Sequence, residues 1–124
     1  MANLVKKQSF GGPDKQILIA EDSFKVTLGA VIAATGAVEV DGKKIIKAGT
    51  PVKGDLKARN TAFTKEAEAP NAIVLHDVDV TNGANNGTIV IAGAVDLNRL
   101  DADAAALITS AVEEKLPRII FFKS

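Results

Sequence analysis

The sequence contains no cysteine, no tryptophan and no tyrosine, and its only histidine is His76. Without cysteine there can be no disulfide, no thiolate nucleophile and no cysteine-ligated metal. Without Trp or Tyr the usual stacking platforms for bases and sugars are missing, and five Phe are the only aromatics. A Ser-His-Asp triad would have to use His76, yet no Gly-x-Ser-x-Gly elbow accompanies it. Phosphate cradles are absent as well. Gly11-Gly12-Pro13 precedes no capped helix, and neither a Walker nor a dinucleotide fingerprint occurs.

An excess of one charge is also missing. Fifteen Lys and Arg balance fifteen Asp and Glu, and the longest basic runs are the pairs Lys6-Lys7 and Lys43-Lys44. A nucleic-acid binder carries a basic excess or stripe, so no nucleic-acid partner is expected. No apolar run approaches the roughly 20 residues that span a bilayer, so no membrane partner is expected either. Lys6-Lys7 leads into Gln-Ser-Phe-Gly-Gly-Pro and not into an apolar stretch, so no secretory leader is read. These absences point away from an enzyme, and no catalytic residue, metal or cofactor is expected.

What remains is a chain whose 124 residues are 47% hydrophobic, mainly Ala, Val, Ile and Leu. That is enough for a core without covalent staples. Residues 1–15 read as an extended N-terminal arm, ended by Gly11-Gly12-Pro13-Asp14. Residues 16–124 read as one β-rich domain. Gln16 to Ala20 and Phe24 to Leu28 read as strands, the second with Phe24, Val26 and Leu28 on one face. The small apolar run from Gly29 to Ala34 suits a buried strand. Val38-Glu39-Val40, Asp41-Gly42 and Lys43-Lys44-Ile45-Ile46 form the clearest hairpin, because Asp-Gly supplies the positive φ angles of a type I′ turn. Gly49 and Pro51 then break regular structure, with Thr50 extended before the proline.

Residues 53–70 are polar apart from Ala residues and Phe63. They read as a surface excursion with weak helical character from Thr61 to Glu68. Ala72 to Val80 predicts a strand pair or one bent strand. Residues 81–87, Thr-Asn-Gly-Ala-Asn-Asn-Gly, predict a turn, and Thr88 to Leu97 a second β run that completes a long hairpin. Asp101 or Asp103 can N-cap a helix over about residues 102–115, with Leu107, Ile108, Ala111, Val112 and Leu116 on one stripe. Pro117 stops it, and Arg118 to Lys123 predicts a terminal strand. The expected fold class is α+β, β-dominated: antiparallel strands, one C-terminal helix and the N-terminal arm.

Three groups of residues could carry chemistry. In an alternating strand His76 shares a face with Val78 and Val80, the position of a half-buried structural histidine. Asp77, Asp79, Asn82, Asn85 and Asn86 offer hard oxygen ligands close in sequence, as calcium requires. No EF-hand pattern accompanies them, and Asn-Gly loops serve as turns. Asp101 and Asp103 sit where a helix N-terminus favours negative charge, and Glu113 and Glu114 read as a solvated helix face.

Two segments carry a resemblance. One is Lys47-Ala48-Gly49-Thr50-Pro51-Val52-Lys53-Gly54-Asp55. The other is Ala72-Ile73-Val74-Leu75-His76-Asp77-Val78-Asp79-Val80, followed by Gly87-Thr88-Ile89-Val90-Ile91-Ala92-Gly93-Ala94-Val95-Asp96-Leu97. In this order, over about residues 45–100, the chain resembles the head decoration proteins of tailed phages, of the lambda-like capsid stabilising type. The resemblance implies a structural protein on the outside of the virion capsid, made in the host cytoplasm. It also implies a homotrimer that clamps neighbouring major capsid protein subunits after head expansion. An arm that adds a strand to capsid segments is implied too. Leu4, Val5, Lys6, Lys7 and Phe10 are then the capsid-binding candidates. The chain departs from the lambda-type protein in its longer N-terminal β region and its lack of Trp. A tail, baseplate or head-fibre base component, or a small ligand-binding β module, are the alternative readings.

Overall fold

The computed structural model describes residues 25–123. Among the described residues nine strands run in the order β1 (Val26–Ile32), β2 (Val38–Val40), β3 (Lys43–Ile46), β4 (Pro51–Lys53), β5 (Thr64–Lys65), β6 (Ala72–Val74), β7 (Val78–Asp79), β8 (Asn85–Asp96) and β9 (Ile119–Phe122). A 3₁₀ turn at Leu97–Arg99 and two short helices, α1 (Ala102–Ala105) and α2 (Ser110–Lys115), separate β8 from β9. The fold is β-dominated and mainly antiparallel, with its helical pieces near the C-terminus. The expected arm at residues 1–15 and the expected strand from Gln16 to Ala20 lie outside the described residues.

The long strand β8 organises the sheet. It pairs antiparallel with β1, from Ile32 opposite Asn85 to Val26 opposite Ala92. On its other edge it pairs antiparallel with β6, which pairs with β4, which pairs with β5. The ladder then returns to its start. Phe63, just before β5, bridges to Ile32 of β1. Its amide donates to the Val31 carbonyl at 2.8 Å, and its own carbonyl accepts from Ala33 N–H at 2.9 Å. The result is a small closed barrel, which satisfies edges that an open sheet would expose.

Strand alternation divides the interior into two cores. Inside the barrel lie Ile32, Val52, Phe63, Ala72, Val74 and Ile89, with Ile46, Val78 and Val80 in the same cluster. On the outside, Ile73 and Val90 face a second cluster with Leu100, Ala104, Ile108, Val112, Leu116 and Ile119. Every residue of β6 is therefore buried, one face by the barrel and the other by the helical layer. This explains why Ala72-Ile73-Val74 is an uninterrupted apolar run and not an alternating one.

The β2–β3 hairpin has the expected turn. Asp41 has φ 52° and Gly42 φ 81°, and Val38 pairs with Ile45. Together with β7, which pairs with β3, it makes a second, three-stranded sheet.

Five expectations need correction. Phe24 lies outside the described residues, and the rest of the expected Phe24 to Leu28 strand is continuous with the following apolar run as one strand, β1, in which the register shifts between Val26 and Thr27. Pro51 does not interrupt structure: it opens β4, buried, at the first strand position, which a residue lacking N–H tolerates. Thr61 to Glu68 is not helical but carries β5, and Phe63 is fully buried in the barrel. Ala72 to Leu97 is not one long hairpin, because β6 pairs with β8 while β7 leaves for the small sheet.

The helix over about 102–115 is two pieces. Leu107 and Ile108 N–H groups reach back to Ala104 and Ala105 carbonyls in tight turns, and Thr109 restarts the helix by accepting from Val112 N–H. The break lets both Ala104 and Ile108 reach the core, leaving Ala111 exposed. Among the described strands β9 runs parallel to β8, with Ile119 opposite Gly93.

Candidate interaction surface

The two segments that carry the family resemblance meet at one corner of the barrel. Thr50 N–H donates to the Lys47 carbonyl at 3.1 Å, closing a turn whose third residue, Gly49, has φ 92°. Positive φ at that position is the type II geometry, which requires glycine. The Thr50 hydroxyl also donates to the Lys47 carbonyl, at 2.7 Å. The turn is then fixed to β6 and beyond. Gly49 N–H donates to the Val74 carbonyl at 2.7 Å, and Val74 N–H to the Thr50 carbonyl at 3.0 Å. Asn71 adds a reciprocal pair with Gly54, donating from Nδ2 to its carbonyl at 2.7 Å and accepting its N–H at 3.3 Å.

Asp77 completes the corner. Its Oδ1 accepts the Ala48 N–H at 2.8 Å. Ala48 is buried, so the carboxylate satisfies a donor that water does not reach. Asp77→Ala is expected to lower stability by about 2 kcal/mol, the cost of an unsatisfied buried N–H. Urea denaturation measures it, and an unchanged midpoint would show that another group takes over the amide.

Asp79 has a different task. Its Oδ1 accepts from the Thr81 hydroxyl at 2.6 Å and from Thr81 N–H at 3.0 Å. The hydroxyl, then the amide, hold the Asp79 carboxyl below its usual range. A lowered carboxyl favours the folded state above its unfolded pKa and loses that preference as pH falls through the folded one. Thr81→Val is therefore expected to raise the Asp79 titration midpoint, read by NMR of the side-chain carboxyl. A midpoint that stays put would exclude the hydroxyl as the main cause.

The candidate ligand set of the sequence does not assemble. Asp77 is spent on Ala48 and Asp79 on Thr81. Asn85 Nδ2 donates to the Asp79 carbonyl at 3.0 Å, and its Oδ1 accepts Asn86 N–H at 2.8 Å. The loop is a self-bonded turn, and no group of three His, Asp or Glu suited to a metal occurs among the described residues. His76 is half-buried, and its buried Nδ1 has no hydrogen-bond partner among the described residues.

Asp101 and Asp103 converge on Lys47, whose Nζ lies 3.4 Å from Asp101 Oδ2 and 3.2 Å from Asp103 Oδ1 and Oδ2. The Asp103 hydrogen bond, against partial desolvation and with help from Asp101, holds the ammonium above its ordinary value. The clasp ties α1 to the turn and borders an open cavity of about 230 Å³ lined also by Val38, Ile45, Lys65 and Leu107. Glu113 and Glu114 stand exposed on α2.

The capsid-binding candidates Leu4, Val5, Lys6, Lys7 and Phe10 lie outside the described residues. The expected strand from Arg118 to Lys123 is present as β9, and what sequence reasoning missed is its exposed face. Ile120 is 66% exposed, the most exposed large apolar side chain among the described residues. The alternation within Ile119-Ile120-Phe121-Phe122 is hidden in a continuous apolar run, so the sequence alone gave no sign of which face would stay bare. No helix among the described residues is long and apolar enough to cross a membrane. No protein-family model matches the chain, and no curated protein matches it at a significant level.

Proposed function

We propose that this protein is a structural component of a tailed-phage virion that binds the outer surface of the capsid and stabilises contacts between major capsid protein subunits. In this reading it acts as a homotrimer on the particle exterior and carries out no chemical reaction. One observation supports the reading most. The two resembling segments, separated by the stretch that includes Phe63, fold into a single hydrogen-bonded corner through Ala48, Gly49, Thr50, Val74 and Asp77. Resemblance in two separated segments gains weight when the segments are one structural unit. The small barrel suits a coat module, because a rigid unit loses little conformational freedom when it docks. Repetition on a lattice adds to this, since the later contacts of an assembled copy are effectively intramolecular.

The test is to add the purified protein to expanded heads that lack a decoration layer. Saturable binding, with a copy number set by the three-fold and quasi-three-fold positions of the lattice, is expected. No saturable binding, or a copy number unrelated to lattice symmetry, would overturn the proposal.

A further inference from the structure

The strand β9 ends the sheet on one side among the described residues: it pairs with β8, and no second strand is paired to it. Ile119 and Phe121 turn toward the helical layer, while Ile120 and Phe122 lie on the opposite face, beside Ala94 and Asp96 of β8. Ile120 is two-thirds exposed. The Arg118 carbonyl accepts Gly93 N–H at 3.1 Å. In a parallel ladder the backbone groups of alternate residues face the same neighbour, so Ile120 and Phe122 face β8 and Phe121 directs its N–H and C=O outward.

The two ends of this strand are basic. Arg118 and Lys123 are exposed, and neither forms an ion pair among the described residues. In an antiparallel pairing of two copies the outward-facing Phe121 residues lie opposite each other, which sets Lys123 against Ile119 and brings it no carboxylate. The same ends favour a strand that brings carboxylates.

We propose that β9 is a docking edge for an extended segment of a partner chain, apolar at its centre and acidic at both ends, which adds to the sheet as a further strand. The outward N–H and C=O of Phe121 supply the backbone pairing, Ile120 and Phe122 the apolar contact, and Arg118 and Lys123 the choice of partner. This surface is independent of the capsid reading, since the partner is defined by its chemistry and the test needs no particle.

The test uses the full chain and two synthetic peptides with the same Val/Ile centre, one with Glu at both ends and one with Lys. The Glu peptide is expected to bind saturably at low salt and about tenfold more tightly than the Lys peptide, the difference shrinking as salt rises. The double variant Arg118→Glu, Lys123→Glu is expected to reverse the preference. Its fold is verified by circular dichroism, and both side chains are exposed. Amide exchange at Phe121 is expected to be fast in the free chain and to slow when the Glu peptide is bound. Equal binding of both peptides, or none, would overturn the proposal. So would slow Phe121 exchange in the free chain, which would mean that another part of the chain already covers the edge. Self-association abolished by Ile120→Lys would assign the edge to a second copy and also overturn it.

Discussion

Phe63→Ala is expected to lower the stability of the protein by about 4 kcal/mol, near the upper end for a buried aromatic truncation. The Phe63 side chain is completely buried and belongs to the barrel interior with Ile32, Val52 and Val74. Its ring is also held at close range by the chain itself, because a Cβ on Gly54 would lie 2.5 Å from Cγ of Phe63. The glycine lets the backbone pass directly over the ring. Removing the ring leaves a cavity bordered by the strands the residue joins, and the closing hydrogen bonds to Val31 and Ala33 lose their anchor. A domain of this size has only about 5–15 kcal/mol in total, so the loss is a large share. Denaturant titration followed by circular dichroism measures it. A loss below about 1 kcal/mol would mean that the barrel collapses around the gap. Phe63→Leu, which refills most of the volume, is expected to recover more than half of the lost stability.

Gly49→Ala is expected to cost about 3 kcal/mol, from two independent causes. The φ of 92° places the residue where an L side chain is strained. An added Cβ would also meet Leu100 Cδ2 at 2.5 Å and Cδ1 at 2.8 Å, within a buried corner. Overpacking of this kind costs about 1–3 kcal/mol alone. The double variant Gly49→Ala, Leu100→Ala separates them. It relieves the clash and leaves the backbone strain, so its stability is expected to exceed the sum of the two single losses subtracted from wild type. Strict additivity would show that the clash contributes nothing. As a control, Gly42→Ala has open space around the new Cβ and is expected to show the strain of positive φ without the clash.

These two positions mark where the sequence was informative and where it was not. The hairpin at Val38–Ile46 was legible because Asp41-Gly42 states its turn chemistry locally. Gly49 was legible as a break, since Gly and Pro two positions apart punctuate any pattern. That Pro51 opens a buried strand was not, because the partners that bury it, around Ile73, are distant in sequence.

Phe63 was misplaced for the same reason. It is one apolar residue in a polar stretch, and periodicity has nothing to act on there. Its burial follows from barrel closure, a property of the whole topology. The helix break at Thr109 carried a signal in the Thr-Ser pair with its capping hydroxyl, but the alanine-rich context and the apolar stripe outweighed it. For the candidate site, residue types were legible while their pairings were not. Asp77 looked like a ligand beside Asp79, yet the bend after β6 sends the two carboxylates to different backbone amides.

The placement of β8 has a consequence for how the chain is made. Val26–Ile32 finds its full-length partner in Asn85–Asp96, and the barrel cannot close before both exist. On a ribosome the first strand therefore waits for some sixty further residues to be translated before it can be paired. Pairings of such wide sequence separation also slow folding after release, toward the millisecond-to-second range of β-rich domains. The hairpin at Val38–Ile46, whose turn is encoded locally, is able to form while the chain is still growing. A strand made late, β8, is the one that allows β1 to settle.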